Sequence, residues 1–257
     1  MSIETALKHQ LISYKSVNKG SHSGNCMDME ITNISKNKLV LKLESGRNLT
    51  SLDTNKQDIL VVKEVLFVLN PAETIKKEIF GFCSQSHKSA PSTGETYAVG
   101  ELKNDTIIQL TTFLSKNNYP LSAMQNAIWS LTNNRPVASI FHENRDSIES
   151  LQAFVAQFYE KVTPWYSIQY SDADSGMVSD KAKTIYGTLK ADLEKGRVIK
   201  VVVYDLYNIS QIRKDIKVPE KTKEQPIVVD VSKLPKGRYR ILFTSLAGRI
   251  DEKIFWI

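Results

Sequence analysis

The side chains best able to do chemistry in this 257-residue chain are its two cysteines, Cys26 and Cys83. Two thiols in the first third of a chain permit one disulfide, and in an oxidising compartment a Cys26–Cys83 bridge between strands of a sandwich is the plain expectation. A thiol also serves as a nucleophile when a base and an orienting group stand beside it. For Cys83 that base would be His87 or His142, oriented by Asn126 or Asn144. His87 lies only four residues from Cys83 in a polar loop, and His142 precedes a helical stretch with no nucleophile motif nearby, so a cysteine hydrolase is the weakest reading. His9 and His22 complete the set of histidines, and no spacing among them fits a zinc site. Asp172, Asp174 and Asp180 offer hard oxygens to calcium but lack the loop pattern and the bidentate Glu, which favours a solvated linker. The 11 glycines are scattered, and none forms a phosphate-cradling loop. No cofactor or metal is expected.

Composition narrows the field. The chain is 41% hydrophobic and 24% charged, an ordinary globular balance. Its length suffices for two or three modest domains that need no metal or dense disulfide framework to fold. The net charge of +6 comes from 34 basic and 28 acidic residues, a mixed background with a basic excess after Gly196. Stacking aromatics and a recognition-helix pattern are missing from that excess, so nucleic acid is not an expected partner. The most apolar stretch, Ile59 to Leu69, is broken by Lys63 and Glu64, and no transmembrane segment is expected. The opening Met1-Ser-Ile-Glu-Thr lacks the features of a signal peptide, which leaves a cytosolic protein or a mature chain whose leader has been removed.

The elements that must position these residues change character along the chain. From about Leu7 to Gly100 the text reads as strands separated by polar turns. Met27 to Ile34 and Lys38 to Leu43 alternate apolar and polar residues about an Asn-Lys turn, a hairpin pattern. Leu60 to Leu69 and Thr74 to Phe82 continue the series, and strands at this spacing predict a sandwich. After Gly100, Asn104 or Asp105 caps a helix with Ile107, Leu110, Phe113 and Leu114 on one face. A second helix is expected from about Ser122 to Thr132, with Met124, Ile128 and Leu131 on one face and Trp129 beside it. A third has Asp146 as its cap, Glu149 placed for a capping box, and Ile148, Leu151, Val155, Phe158 and Val162 as its stripe. Ser171 to Gly176 is small, polar and aperiodic, and marks a boundary. Beyond it strands recur at Ile185 to Leu193, Arg197 to Leu206, Pro226 to Val231, Gly237 to Thr244 and Glu252 to Ile257, an antiparallel sandwich.

A longer constellation surrounds Cys83. Phe82-Cys83 is followed by Pro91, Gly94 and Tyr97, then by Asn118-Tyr119-Pro120 and Met124-Gln125-Asn126-Ala127-Ile128-Trp129. This series resembles the thioester domains of bacterial surface adhesins, which keep a Cys after an aromatic residue and a later Gln in an apolar-Gln-x-x-apolar-apolar motif. The resemblance implies that Cys83 supplies the sulfur and Gln125 the acyl group of an internal thioester, with His87, Tyr97 and Trp129 as supporting residues. A thiol held against a carboxamide and shielded from water is suited to that bond, which stores an acyl group reactive towards amines. In the last part of the chain, Val201-Val-Val-Tyr204-Asp205, Leu234-Pro-Lys-Gly237-Arg-Tyr239 and Phe255-Trp-Ile257 resemble the immunoglobulin-like C-terminal modules of exported Bacteroidetes proteins. That likeness implies a sorting or spacer role.

The expected architecture is α+β, mainly β. Residues 1–100 form a β-sandwich, 101–170 a helical subdomain packed on it, 171–178 a linker, and 179–257 a C-terminal immunoglobulin-like β-sandwich. The expected function is that of a secreted or cell-surface binding and adhesion protein with a protein or surface ligand as its partner, capturing an amine through Cys83 and Gln125. The alternative is a noncovalent interaction module braced by a Cys26–Cys83 disulfide.

Overall fold

The computed structural model describes residues 1–160, 162–171 and 178–257, an α+β chain dominated by antiparallel strands and divided into two compact units. Among the described residues the first holds Met1–His142, Asp146–Val162 and 178–179, and the second holds Glu143–Arg145, Thr163–Ser171 and Asp180–Ile257. The second unit thus starts ahead of the boundary expected at 171–178, because a strand at Tyr166–Tyr170 pairs with one at Ala182–Leu193. The acidic positions Asp172 and Asp174 lie outside the described residues.

The first unit opens with a helix that strand texture alone did not predict, α1 (Ile3–Lys8), capped by the Ser2 hydroxyl. Strands β1 (Ile12–Asn18), β2 (Ser23–Asn33), β3 (Leu39–Leu43), β4 (Arg47–Ser51), β5 (Ile59–Val61), β6 (Val65–Leu69), β7 (Thr74–Cys83) and β8 (Tyr97–Leu102) follow. Six of them form one sheet in the order β1-β2-β7-β5-β4-β8, while β3 and β6 pair separately. The ends of the large sheet curl towards each other: Asn18 exchanges main-chain hydrogen bonds with the Gly94–Glu95 segment just before β8, and the Val99 N–H donates to the Tyr14 hydroxyl.

The expected hairpin between β2 and β3 does not form. Asn33, fully buried at the end of β2, donates to the carbonyls of Asn37, Leu69 and Asn70 and accepts from Ser35, which turns the chain out of one sheet and into the other. The run Leu60 to Leu69 likewise splits at the exposed Lys63 and Glu64 into β5 and β6, one in each sheet.

Period-two alternation sorts side chains into two cores. On β5 and β7, Ile59, Val61, Ile79 and Cys83 face an interior shared with Met27, Met29 and the apolar face of β3 and β6. Leu60, Val62 and Phe82 face the helices. Strands with two buried faces read as continuous apolar runs, which is why β5 carries no polar residue.

The helical layer is α2 (Asp105–Lys116), α3 (Leu121–Asn133) and α4 (Glu149–Gln157). Asn104 caps α2 by accepting the Ile107 N–H at 3.1 Å, and α3 ends at a left-handed Asn134. The cap expected at Asp146 is not used. Asp146 sits in a 3₁₀ turn at Arg145–Ser147, and α4 starts after Ile148 with no side-chain cap. The helix stops at Gln157, so the apolar stripe ends at Phe158 and Val162 is exposed.

The second unit comprises β9 (Tyr166–Tyr170), β10 (Ala182–Leu193), β11 (Val198–Tyr204), β12 (Ser210–Lys217), β13 (Thr222–Asp230), β14 (Arg238–Ser245) and β15 (Gly248–Trp256). Its sheets, β13-β10-β9 and β12-β11-β14-β15, have the strand distribution of an immunoglobulin-like sandwich. Tyr166 packs on Phe255 across the sheets, and the Tyr239 hydroxyl donates to the Pro235 carbonyl at 2.8 Å, a tyrosine corner. Strand β12 went unread in the sequence because its exposed Arg213, Lys214 and Asp215 hide any alternation.

Candidate functional site

Cys83 is the last residue of β7 and is completely buried. Its side chain belongs to the interior cluster that also holds Cys26, Tyr97 and Trp129. A close backbone approach makes room there. Gly81 precedes Cys83 by one pleat on the same face, where a Cβ would come within 2.7 Å of Ile59 Cγ2 and 2.9 Å of the Leu60 carbonyl oxygen.

Gln125 and Trp129 lie one turn apart on α3 and therefore on one face. Pro120 at the N-cap starts that helix, and Ala123, Met124, Ala127 and Ile128 bury its other flank against Phe82. The Gln125 carboxamide reaches the residue that carries the thiol: its Oε1 accepts the Cys83 N–H at 3.2 Å and its Nε2 donates to the Cys83 carbonyl at 2.7 Å. The Cys83 N–H is shared with the His22 carbonyl at 3.0 Å. Gln125 is as buried as the core around it, with 2% of its surface exposed.

Both thiols are free and buried. They sit on β2 and β7, neighbours in one sheet, and not across two sheets as a sandwich-tying bridge requires. The Cys26 thiol, at an irregularity in the β2–β7 register, lies 3.4 Å from the Gly81 carbonyl. Burial pushes Cys26 up to about 12 and moves Cys83 strongly in the same direction, with the charges of Cys26 and Asp58 adding to the effect at Cys83. An uncharged sulfur suits this site and a thiolate does not.

Of the supporting residues, Tyr97 is buried with its hydroxyl donating to the Gln57 carbonyl at 3.1 Å, and Trp129 donates its indole N–H to Gln57 Oε1 at 3.3 Å. Tyr97 is pushed up by burial first and by its proximity to Cys83 second. His87 is exposed on the loop after β7, and His142 bonds to Ser147; neither imidazole is a hydrogen-bond partner of Cys83. Among the described residues no cluster of three or more His, Cys, Asp or Glu is placed to hold a metal.

Residues beyond the sequence reading complete the site. Asp58 is a buried carboxylate held by the Ser51 N–H, Asn48 Nδ2 and Gln85 Nε2 at 3.0 to 3.1 Å. Gln57 joins Trp129 to the loop after Cys83, and Asn133 Oδ1 accepts the Ser86 N–H at 2.6 Å. The only signal in the sequence was the four-residue spacing of Gln125, Trp129 and Asn133.

No family model matches the chain, and no curated protein is similar to it. Among solved structures, a β-glucosidase from Kluyveromyces marxianus aligns over 90% of this chain and 44% of its own, at 12% identity and a TM-score of 0.21. The chain thus spans less than half of that structure, and a likeness of this degree carries no argument about fold or activity.

Proposed function

We propose that the protein is a secreted or cell-surface binding protein of the thioester-domain type, in which Cys83 and Gln125 form an internal thioester that captures an amine-bearing partner once. The observation carrying this reading is the pair of hydrogen bonds between the Gln125 carboxamide and the main chain of Cys83. In the bond-forming step Cys83 Sγ adds to Gln125 Cδ. The C–N bond then breaks, and the thiol proton leaves on the nitrogen as ammonia. The Cys83 N–H, already on Gln125 Oε1, is the donor positioned where negative charge develops as the tetrahedral intermediate forms. A partner amine later attacks the same carbon, forms an amide with residue 125 and returns the thiol to Cys83.

Burial supports this chemistry in two ways. It keeps water from hydrolysing the stored acyl group, and it penalises a charged sulfur, a penalty that the uncharged thioester does not incur. The immunoglobulin-like second unit then acts as a spacer or sorting module. Intact mass tests the proposal. The untreated protein is expected to be lighter than its sequence by one ammonia and to gain one methylamine on incubation with that amine. A full calculated mass with two thiols titratable after unfolding overturns it.

A further inference from the structure

Helix α3 meets the chain around Cys83 through a row of polar side chains at four-residue spacing. Gln125 holds the Cys83 main chain, Trp129 bonds to Gln57, and Asn133 accepts from Ser86. The row spans eight residues of helix, about 12 Å of rise. It meets the chain leaving Cys83 in order, at residue 83, at residue 85 through Gln57, and at residue 86 where a turn begins.

The middle contact depends on a residue from outside both segments. Gln57 has 2% of its surface exposed and every polar atom engaged. Its Oε1 accepts both the Trp129 indole N–H at 3.3 Å and the Gln85 N–H at 3.2 Å, and its Nε2 donates to the Lys88 carbonyl at 3.1 Å. Its own main chain accepts from the Tyr97 hydroxyl and donates to the Ser89 carbonyl, each at 3.1 Å. One side-chain oxygen thus ties the helix bearing Gln125 to the loop that leaves Cys83.

We infer that Gln57 is a positioning residue for the Cys83–Gln125 bond: by holding Trp129 and Gln85 on one oxygen, it sets the rotation and height of α3 at which the carboxamide meets Cys83. The inference rests on the thioester reading above. It makes Gln57, whose hydrogen bonds go to neither reacting group, a determinant of the rate at which the bond forms. Misplacement of reacting groups by about 1 Å costs on the order of 10²-fold in rate.

The test refolds the reduced full-length protein and follows by mass the fraction lighter by one ammonia, for the parent, Gln57→Leu, Gln57→Glu and Trp129→Phe. Melting temperature and the solvent exchange of the Gln125 side-chain amide protons are measured alongside. Gln57→Leu is expected to slow bond formation by about 100-fold, beyond any change in melting temperature. Trp129→Phe, which deletes only one of the two donors to Gln57 Oε1, is expected to slow it less and covers the case in which Gln57→Leu does not fold. Gln57→Glu keeps an acceptor for Trp129 and Gln85 but sets an oxygen against the Lys88 carbonyl in place of Nε2, and is expected to recover only part of the rate. Bond formation at the parent rate in both Gln57→Leu and Trp129→Phe overturns the inference. If the parent itself keeps its full mass, the thioester reading fails, and Gln125 amide exchange then decides: faster exchange in these two variants sustains the positioning role, and unchanged exchange ends it.

Discussion

Gln125 spans the main chain of Cys83, so that one side chain from a helix satisfies both polar groups at the end of a buried strand. Because the contacts go to backbone, the two residues respond differently to substitution. Gln125→Leu leaves the Cys83 carbonyl without this donor and should cost about 1–3 kcal/mol in urea unfolding. Compared with parent protein whose Gln125 carboxamide is intact, Cys83→Ala keeps both hydrogen bonds and loses only a small buried side chain, so it should cost less. An ordinary surface glutamine would change stability by at most about 0.5 kcal/mol, and such a result for Gln125→Leu would remove the structural basis of the site.

Arg47 anchors the start of β4 in the first unit. Its guanidinium is 2% exposed and bonds to both Glu44 oxygens, to Glu4 at 2.6 Å and to the Gly100 carbonyl at 3.0 Å. Arg47→Met should destabilise by less than the about 3–5 kcal/mol typical of stranding a buried charge, because the two carboxylates still reach water. The pH dependence has a definite sign. Lys8 first and Arg47 second hold the Glu4 carboxyl at about 2, below its ordinary 4.5. A lowered carboxylate contributes stability that is complete above the ordinary value and disappears as pH falls from 4.5 towards 2. Acid unfolding curves of Glu4→Gln should therefore be flatter than those of the parent across that window, and parallel curves would count against the ion pair.

Gly187 and Trp165 make the corresponding close contact in the second unit. A Cβ on residue 187 would lie 2.3 Å from Trp165 Cζ3, and the indole is fixed by its N–H to the Ile254 carbonyl at 2.7 Å. Gly187→Ala should cost about 1–3 kcal/mol through overpacking. Adding Trp165→Leu should recover part of that loss, so that the double variant is less destabilised than the sum of the singles. Strict additivity would mean that the ring does not rest on the glycine.

Most of this architecture was legible wherever one face of an element is polar. Ile107, Leu110 and Leu114 mark α2 by spacing alone, and the strands of the second unit show alternation except at β12. Pairing was less legible, because it depends on distant partners. The departure of β2 from its expected hairpin is decided by Asn33, whose bonds go to Asn37, Leu69 and Asn70. The candidate site shows the same division. Cys83, Gln125 and Trp129 stand out by residue type and order, whereas Gln57 and Asp58 arrive from a turn before β5 that carries no periodicity. Their roles become visible only once Tyr97, Gln85 and Trp129 are brought around them.

The thiols give a final prediction at alkaline pH. Cys26 is pushed by burial from an ordinary value of 9.0 up to about 12. A group raised in the folded state lends stability that is full below its ordinary value and is lost as pH climbs through the window from 9.0 to about 12. Each such thiol contributes a slope of up to about 1.4 kcal/mol per pH unit there. Urea midpoints measured under reductant should fall with pH in this range, and Cys26→Ala should remove one thiol's share. What remains in that variant reports on Cys83 together with buried tyrosines such as Tyr97, which burial raises from an ordinary value of 10.0. If Cys83 is held as a thioester, no second thiol titrates and the Cys26→Ala midpoints should stay level from 9.0 up to the ordinary tyrosine value of 10.0, falling only above it. If Cys83 is a free thiol, a residual fall of similar steepness persists, and treating the parent with methylamine leaves its slope unchanged.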